Sequence, residues 1–228
     1  MSTTLQRDAP RRPDPTGGPG SDARAVERRS LVVAGIAGTV LALLTTAVLV
    51  GHGQLSIDRR ISSGVADHRP GWWVATMRAV TELGSSWALL AVLVALAAVA
   101  LRRRRWSAVG FVAGASAAAW LASQALKVLI GRARPVPPVA LDSFAGYAFP
   151  SGHTTMAAAL WGSLLWVLAR DGSPTTRRLA VAAWVALVVA VATSRLVLGA
   201  HWPTDVLAGA AVGALGVALA AWVAPEAR

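Results

Sequence analysis

Apolar runs long enough to cross a bilayer recur along this chain, and arginines stand at their ends. The runs cover residues 31–50, 84–101, 106–130, 151–168, 179–198 and 203–223. A helix needs about twenty apolar residues to cross the hydrocarbon core. No water is available there to satisfy backbone polar groups, so each segment has to satisfy its own, as a helix does. The pattern therefore predicts an all-α fold, an integral membrane six-helix bundle over residues 31–224. Composition agrees: 55% of the residues are hydrophobic, 14% are charged and the mean hydropathy is +0.53, which excludes an ordinary soluble domain. Residues 1–30 are expected to form a disordered cytoplasmic tail, because Pro10, Pro13, Pro15 and Pro19 with Gly17, Gly18 and Gly20 deny it a core. The first run is expected to remain as a span: it is full-length and no small-residue cleavage pattern follows it.

The formal net charge is +11, but the arginines cluster between apolar runs. That is the pattern of membrane flanks, and it argues against nucleic acid as a partner. The tail end, the 102–105 run of four arginines and the 170–178 loop alternate with the 51–83, 131–150 and 199–202 segments. The first set carries the arginine flanks and is assigned to the cytoplasm, so both termini are expected there. The polar stretch 51–83 contains Trp72, Trp73, Thr76, Met77, Val80 and Leu83 at helical spacing, consistent with a short interfacial helix. His52 and His68 read as solvated loop residues and Arg132 as a loop charge. The chain has no cysteine, which excludes disulfides, a thiolate nucleophile and a thiolate metal site.

Three polar islands then fall on one face of the membrane, the face away from the arginine-rich loops. The first is the segment around Lys127, Arg134 and Pro135. Lys127 is the single lysine of the chain. The second is Pro150-Ser151-Gly152-His153 at the start of the fourth run. Ser151 suits a helix N-cap, and Gly152 lets a backbone N–H approach an anion at the positive end of a helix. The third runs from Ser194 to Asp205 and holds Arg195, His201 and Asp205. Pro203 presets a helix start, which sets Asp205 one turn beyond His201, where a carboxylate can orient the imidazole. Ionisable groups at membrane depth are costly and point to function.

Together these parts suit phosphoryl transfer. Lys127, Arg134 and Arg195, with Ser151 and the Gly152 N–H, can neutralise phosphate oxygens. His201 is the candidate nucleophile, with Asp205 behind it, and His153 the candidate acid and base. No further carboxylate joins the histidines to make a metal-ligand cluster, so neither metal nor cofactor is expected.

In order and spacing the islands match K-x6-RP, PSGH and SR-x5-H-x3-D at every fixed position. In this the chain resembles the type-2 phosphatidic acid phosphatase superfamily, over about a third of its length. The resemblance implies the same roles for Lys127, Arg134, Ser151, Gly152, His153, Arg195, His201 and Asp205, and catalysis without metal. It implies a lipid mono- or diphosphate substrate drawn from the membrane: undecaprenyl diphosphate first, then phosphatidate or phosphatidylglycerol phosphate. Two rival functions remain. Vanadium haloperoxidases share this phosphate pocket but are soluble proteins. A non-catalytic lipid-phosphate binder or transporter would need neither His153 nor His201.

Overall fold

The computed structural model describes residues 19–103 and 106–223. Those residues fold into eight α-helices and one 3-10 turn. In chain order they are α1 (Pro19–Val50), α2 (Ser56–Asp67), α3 (Gly71–Thr81), the 3-10 turn Glu82–Gly84, α4 (Ser86–Arg103), α5 (Trp106–Ile130), α6 (Gly152–Ala169), α7 (Pro174–Val197) and α8 (Pro203–Val223). The all-helical membrane architecture holds. Four helices, α1, α5, α7 and α8, are long and apolar enough to span a membrane. α3 with its 3-10 turn and α4 make a pair bent by 50°, which adds a fifth if it counts as one span. α6 is not in that set. Its first turn is Gly152-His153-Thr154-Thr155, and those residues dilute its apolar character.

α6 is nonetheless the core of the bundle. It packs on α5, α7 and α8, while α1 packs on the outside of α8. Met156, Ala157, Ala158, Ala159 and Leu160 are buried in the middle of α6. The small residues allow the neighbouring backbones to approach closely. By contrast Leu31, Val32, Ile36 and Leu43 of α1 are exposed, as expected of a surface that faces acyl chains.

Two expectations require correction. Residues 19–30 are helical and continue α1, rather than belonging to a structureless tail. Pro19 at the first helical position, followed by Ala23-Arg24-Ala25-Val26-Glu27-Arg28-Arg29, favours helix strongly enough to extend the span. The tail before residue 19, Arg104 and Arg105 lie outside the described residues. The second correction concerns 51–83, which holds two helices where one was expected. α2 is amphipathic in an inverted sense: Asp58 and Ser62 are buried, while Ile57 and Ile61 are exposed. Its apolar stripe faces outward and its polar stripe faces the bundle, a pattern suited to a helix lying on the bundle at the membrane boundary. His52 and His68 are exposed, as expected.

The 131–150 segment has no helix, yet it is tied down. Arg69, in the α2–α3 turn, donates to the carbonyls of Val139 (2.7 Å), Pro138 (2.7 Å) and Val197 (2.9 Å). One guanidinium thus fastens this segment to the end of α7. Arg78 of α3 adds an exposed ion pair with Asp142 at 2.9 Å.

Candidate active site

The start of α6, the start of α8, the last turns of α5 and α7, and the 131–150 segment meet at one end of the bundle. Ser151 N–H donates to the Asp205 carbonyl at 2.9 Å, which fixes the two helix starts against each other. Lys127, near the end of α5, reaches across with Nζ donating to the carbonyls of Pro150 (2.7 Å) and Tyr147 (2.9 Å). Its Cε lies 3.9 Å from where a Cβ on Gly152 would stand, so the ammonium stem borders the first turn of α6. A residue that merely flanked a span would turn its ammonium outward. This one turns inward, onto the segment that leads into α6.

Arg134 donates from Nη1 to the Ala200 carbonyl at 2.7 Å and approaches Nε2 of His201 at 3.1 Å. A guanidinium N–H can only donate, so Nε2 must be the accepting nitrogen, with its lone pair toward Arg134. The ring proton then sits on Nδ1, 3.6 Å from Oδ2 of Asp205. That separation is within ion-pair reach and too long for a hydrogen bond. Asp205 is committed elsewhere: Oδ2 accepts from Trp202 N–H at 2.8 Å and Oδ1 accepts from Arg132. The first of these is a third helical residue reaching back to the N–H at the helix start, one half of a capping box. Burial, with Arg134, Lys127 and Arg195 close by, holds the His201 imidazole well below the usual histidine range. Its neutral form, the one with a lone pair to offer, therefore prevails at pH 7.

Arg195 is buried at the end of α7. Its Nη1 donates to the Thr81 hydroxyl at 2.8 Å, and its Nε, though buried, has no hydrogen-bond partner among the described residues, so that donor remains for an anion. Phe144 lies against both site arginines, its ring centre 5.5 Å from the Arg195 guanidinium carbon and 5.9 Å from that of Arg134. His153, second residue of α6, has His201, Arg134, Arg195 and Lys127 in its electrostatic surroundings. The structure thus brings all eight residues singled out in the sequence to one place.

Ser151 occupies the N-cap position, but its hydroxyl makes no cap bond. It accepts instead from the Thr154 hydroxyl at 3.1 Å, which leaves its own proton free to give to an anion. Arg132 is the larger surprise. It is 3% exposed, not a solvated loop charge, and bridges Asp58 of α2 (2.6 Å) and Asp205 of α8. Thr204 joins this cluster: its hydroxyl donates to Asp58 at 2.6 Å and accepts from Arg132 at 2.7 Å, and its N–H donates to Asp58 at 3.0 Å. Sequence reasoning missed Asp58, Arg132, Thr81 and Phe144. Only Asp58 left a signal there, as the polar stripe it makes with Ser62 four residues on.

Comparison with known proteins agrees with this geometry. The family model of the PAP2 superfamily matches residues 108–228. The decaprenylphosphoryl-5-phosphoribose phosphatase of Mycobacterium tuberculosis is 36% identical over 173 residues, 72% of this chain and 86% of that protein. Phosphatidylglycerophosphatase B of Bacillus subtilis is 30% identical over 179 residues, 76% of this chain and 86% of that protein. The crystal structure of a transmembrane PAP2-type phosphatidylglycerolphosphate phosphatase from Bacillus subtilis superposes with a TM-score of 0.74 at 27% identity, covering 82% of this chain and 93% of that one. With its helical bundle and its motif residues gathered at one end, the chain belongs to the PAP2 superfamily and is a multi-pass membrane phosphatase of that kind.

Proposed function

We propose that this phosphatase removes a terminal phosphate from a membrane lipid through a phosphohistidine on His201. The observation that carries this reading is the 3.1 Å approach of Arg134 to Nε2, which supports that nitrogen as the one that carries the ring's lone pair and faces the cations that would hold phosphate. In the first step the Nε2 lone pair attacks phosphorus, the P–O bond to the lipid breaks, and His153 gives its proton to the leaving oxygen. In the second, His153 takes a proton from water. The water oxygen attacks phosphorus, and the N–P electron pair returns to Nε2. Lys127, Arg134 and Arg195 surround the oxygens of the transferred group, with the Ser151 hydroxyl and the Gly152 N–H at the positive end of α6. The cationic groups that could bind phosphate do not by themselves require chemistry; the pairing of a lone-pair histidine with a second histidine favours an enzyme over a lipid-phosphate carrier.

The substrate class follows from the surroundings. Apolar helices flank the site, so the lipid tail stays among acyl chains while the phosphate enters between the guanidiniums. The two relatives named above act, by name, on phosphate carried by a lipid headgroup. That favours a phosphomonoester on a headgroup, such as phosphatidylglycerol phosphate or a polyprenyl-linked sugar phosphate, ahead of undecaprenyl diphosphate. Phosphate release from a panel of these lipids by purified protein in detergent tests the assignment. Among the described residues no group of three or more His, Cys, Asp or Glu is placed to hold a metal. Turnover is therefore expected to be unchanged in excess chelator; activity lost to chelator and restored by Mg²⁺ would refute the charge-stabilisation scheme.

Counting α6 as a span, because it is surrounded by α5, α7 and α8, gives six. Arg102, Arg170, Arg177 and Arg178 stand at the ends of their helices away from the site, and the positive-inside rule then supports a site on the extracytoplasmic face and both termini in the cytoplasm. The chain lacks cysteine, so single cysteines report without background. Ser143→Cys is expected to react with an impermeant maleimide in whole cells and Thr175→Cys only after lysis. The reverse pattern would invert the topology.

A further inference from the structure

Asp58, Arg132 and Asp205 are 1%, 3% and 0% exposed, so two carboxyl groups and a guanidinium are enclosed together behind His201. One guanidinium is shared by two carboxylates. Nη2 of Arg132 donates to Asp58 at 2.6 Å, Nη1 donates to Asp205, and Nε donates to the Gly53 carbonyl at 3.1 Å. A single buried pair would be neutral. With both carboxyls ionised, this cluster has one negative charge in excess of its guanidinium, in a place where an uncompensated charge is expensive. Three cations act on His201 itself: Arg134 from the 131–150 segment, Lys127 from α5 and Arg195 from α7.

We propose that Asp58 and Arg132 are positioning residues for the phosphorylation step. By dividing one guanidinium between two carboxylates they leave Asp205 with charge to set against the positive charge that forms on His201. The inference rests on His201 being the nucleophile. If Asp58 were absent, Arg132 would belong wholly to Asp205. The imidazolium formed when Nε2 bonds to phosphorus would then face a neutral pair. Phosphorylation builds positive charge on the ring and would slow. Hydrolysis of the phosphohistidine removes that charge and would not slow. A residue that only held α2 against α8 would, on removal, disturb both steps in the same direction.

Rapid-quench measurement of the two steps with an activated aryl phosphate separates these cases, using the full chain in detergent. Asp58→Asn is expected to slow formation of the phosphoenzyme about tenfold, as loss of a charge contribution of roughly 1.4 kcal/mol would do, with its hydrolysis as fast as wild type or faster. Thr204→Val removes hydrogen bonds from the same cluster without changing its charge. It is expected to lower thermal stability while leaving the ratio of the two rates unchanged. Equal slowing of both steps in Asp58→Asn, or an altered ratio in Thr204→Val, would overturn the proposal and make the cluster a purely structural tie. Full turnover in His201→Ala would refute the nucleophile assignment itself, an outcome distinct from either.

Discussion

His201→Ala is expected to abolish turnover of every substrate and to leave no phosphoprotein when the reaction is quenched. Nothing else among the groups of this site can replace it. Lys127 already donates to two carbonyls, the arginines hold their protons, and no carboxylate among the described residues pairs with the His153 ring. His201 has its lone pair directed at Arg134 Nη1 and its other nitrogen 3.6 Å from Asp205. Burial keeps the ring neutral, so no proton has to leave before attack. When Nε2 bonds to phosphorus the ring becomes cationic, and Asp205 is the group that faces the charge. His153→Ala should behave differently. An alkyl phosphate has a poor leaving group and needs the proton, so its turnover should fall by about 10²- to 10⁴-fold, the usual contribution of a general acid. An activated aryl phosphate needs no proton to leave, and its phosphorylation step should be largely spared. The check is to quench each variant during turnover of labelled substrate and measure acid-labile, base-stable phosphoprotein. Such a species in His201→Ala, or an equal loss in the rate of phosphoenzyme formation on both ester types in His153→Ala, would show the roles to be wrongly assigned.

The site is legible in the sequence because the residues that make it are costly where they stand. A histidine after Gly152, a sole lysine near the end of an apolar run, and an Arg, His and Asp between two spans each demand a reason for being there. The support behind the site is not legible in the same way. Arg132 lies two residues from Arg134 in a loop, and sequence alone cannot tell a buried loop arginine from a solvated one. What buries it is α2, a helix whose polar face turns inward, against the habit of soluble proteins. Asp58 at position i and Ser62 at i+4 record that face, but Arg59, Arg60 and Asp67 around them make the stretch read as a polar loop. The same difficulty affects α6. The bundle's central helix is not among those long and apolar enough to span a membrane, because its first turn is given over to the site. Residues 19–30 mislead in the opposite direction: prolines and glycines draw attention, while the run from Ala23 to Arg29 has good helix propensity.

Gly209→Val is expected to cost most of the activity without replacing any side chain of the phosphate site. Gly209 is in α8, one turn beyond Asp205, where α8 crosses the first turn of α6. A Cβ there would stand 2.5 Å from the Ser151 carbonyl oxygen and 3.2 Å from both Thr154 Cβ and Thr155 N. Gly213, one turn further, is as tightly placed: its Cβ would stand 2.6 Å from the Thr155 carbonyl oxygen and press on Ala158 Cβ. These atoms are backbone or backbone-bound, so they cannot swing aside as a long side chain would. The helices must separate instead. Separation stretches the 2.9 Å bond from Ser151 N–H to the Asp205 carbonyl, the tie between the helix starts that carry His153 and His201. Overpacking a close contact costs about 1–3 kcal/mol, and a misplacement of about 1 Å at a reacting centre can cost about a hundredfold in rate. A fall in kcat of that order is therefore expected, with a lower denaturation temperature in detergent. Gly110→Ala is the control. Gly110 is exposed on α5 with no neighbouring atom within 4 Å of an added Cβ, and alanine favours helix over glycine by up to about 1 kcal/mol. That variant should keep wild-type turnover, with stability equal to or above that of wild type. If Gly209→Val also kept both, the α6–α8 crossing would not be what sets the distance between the two histidines.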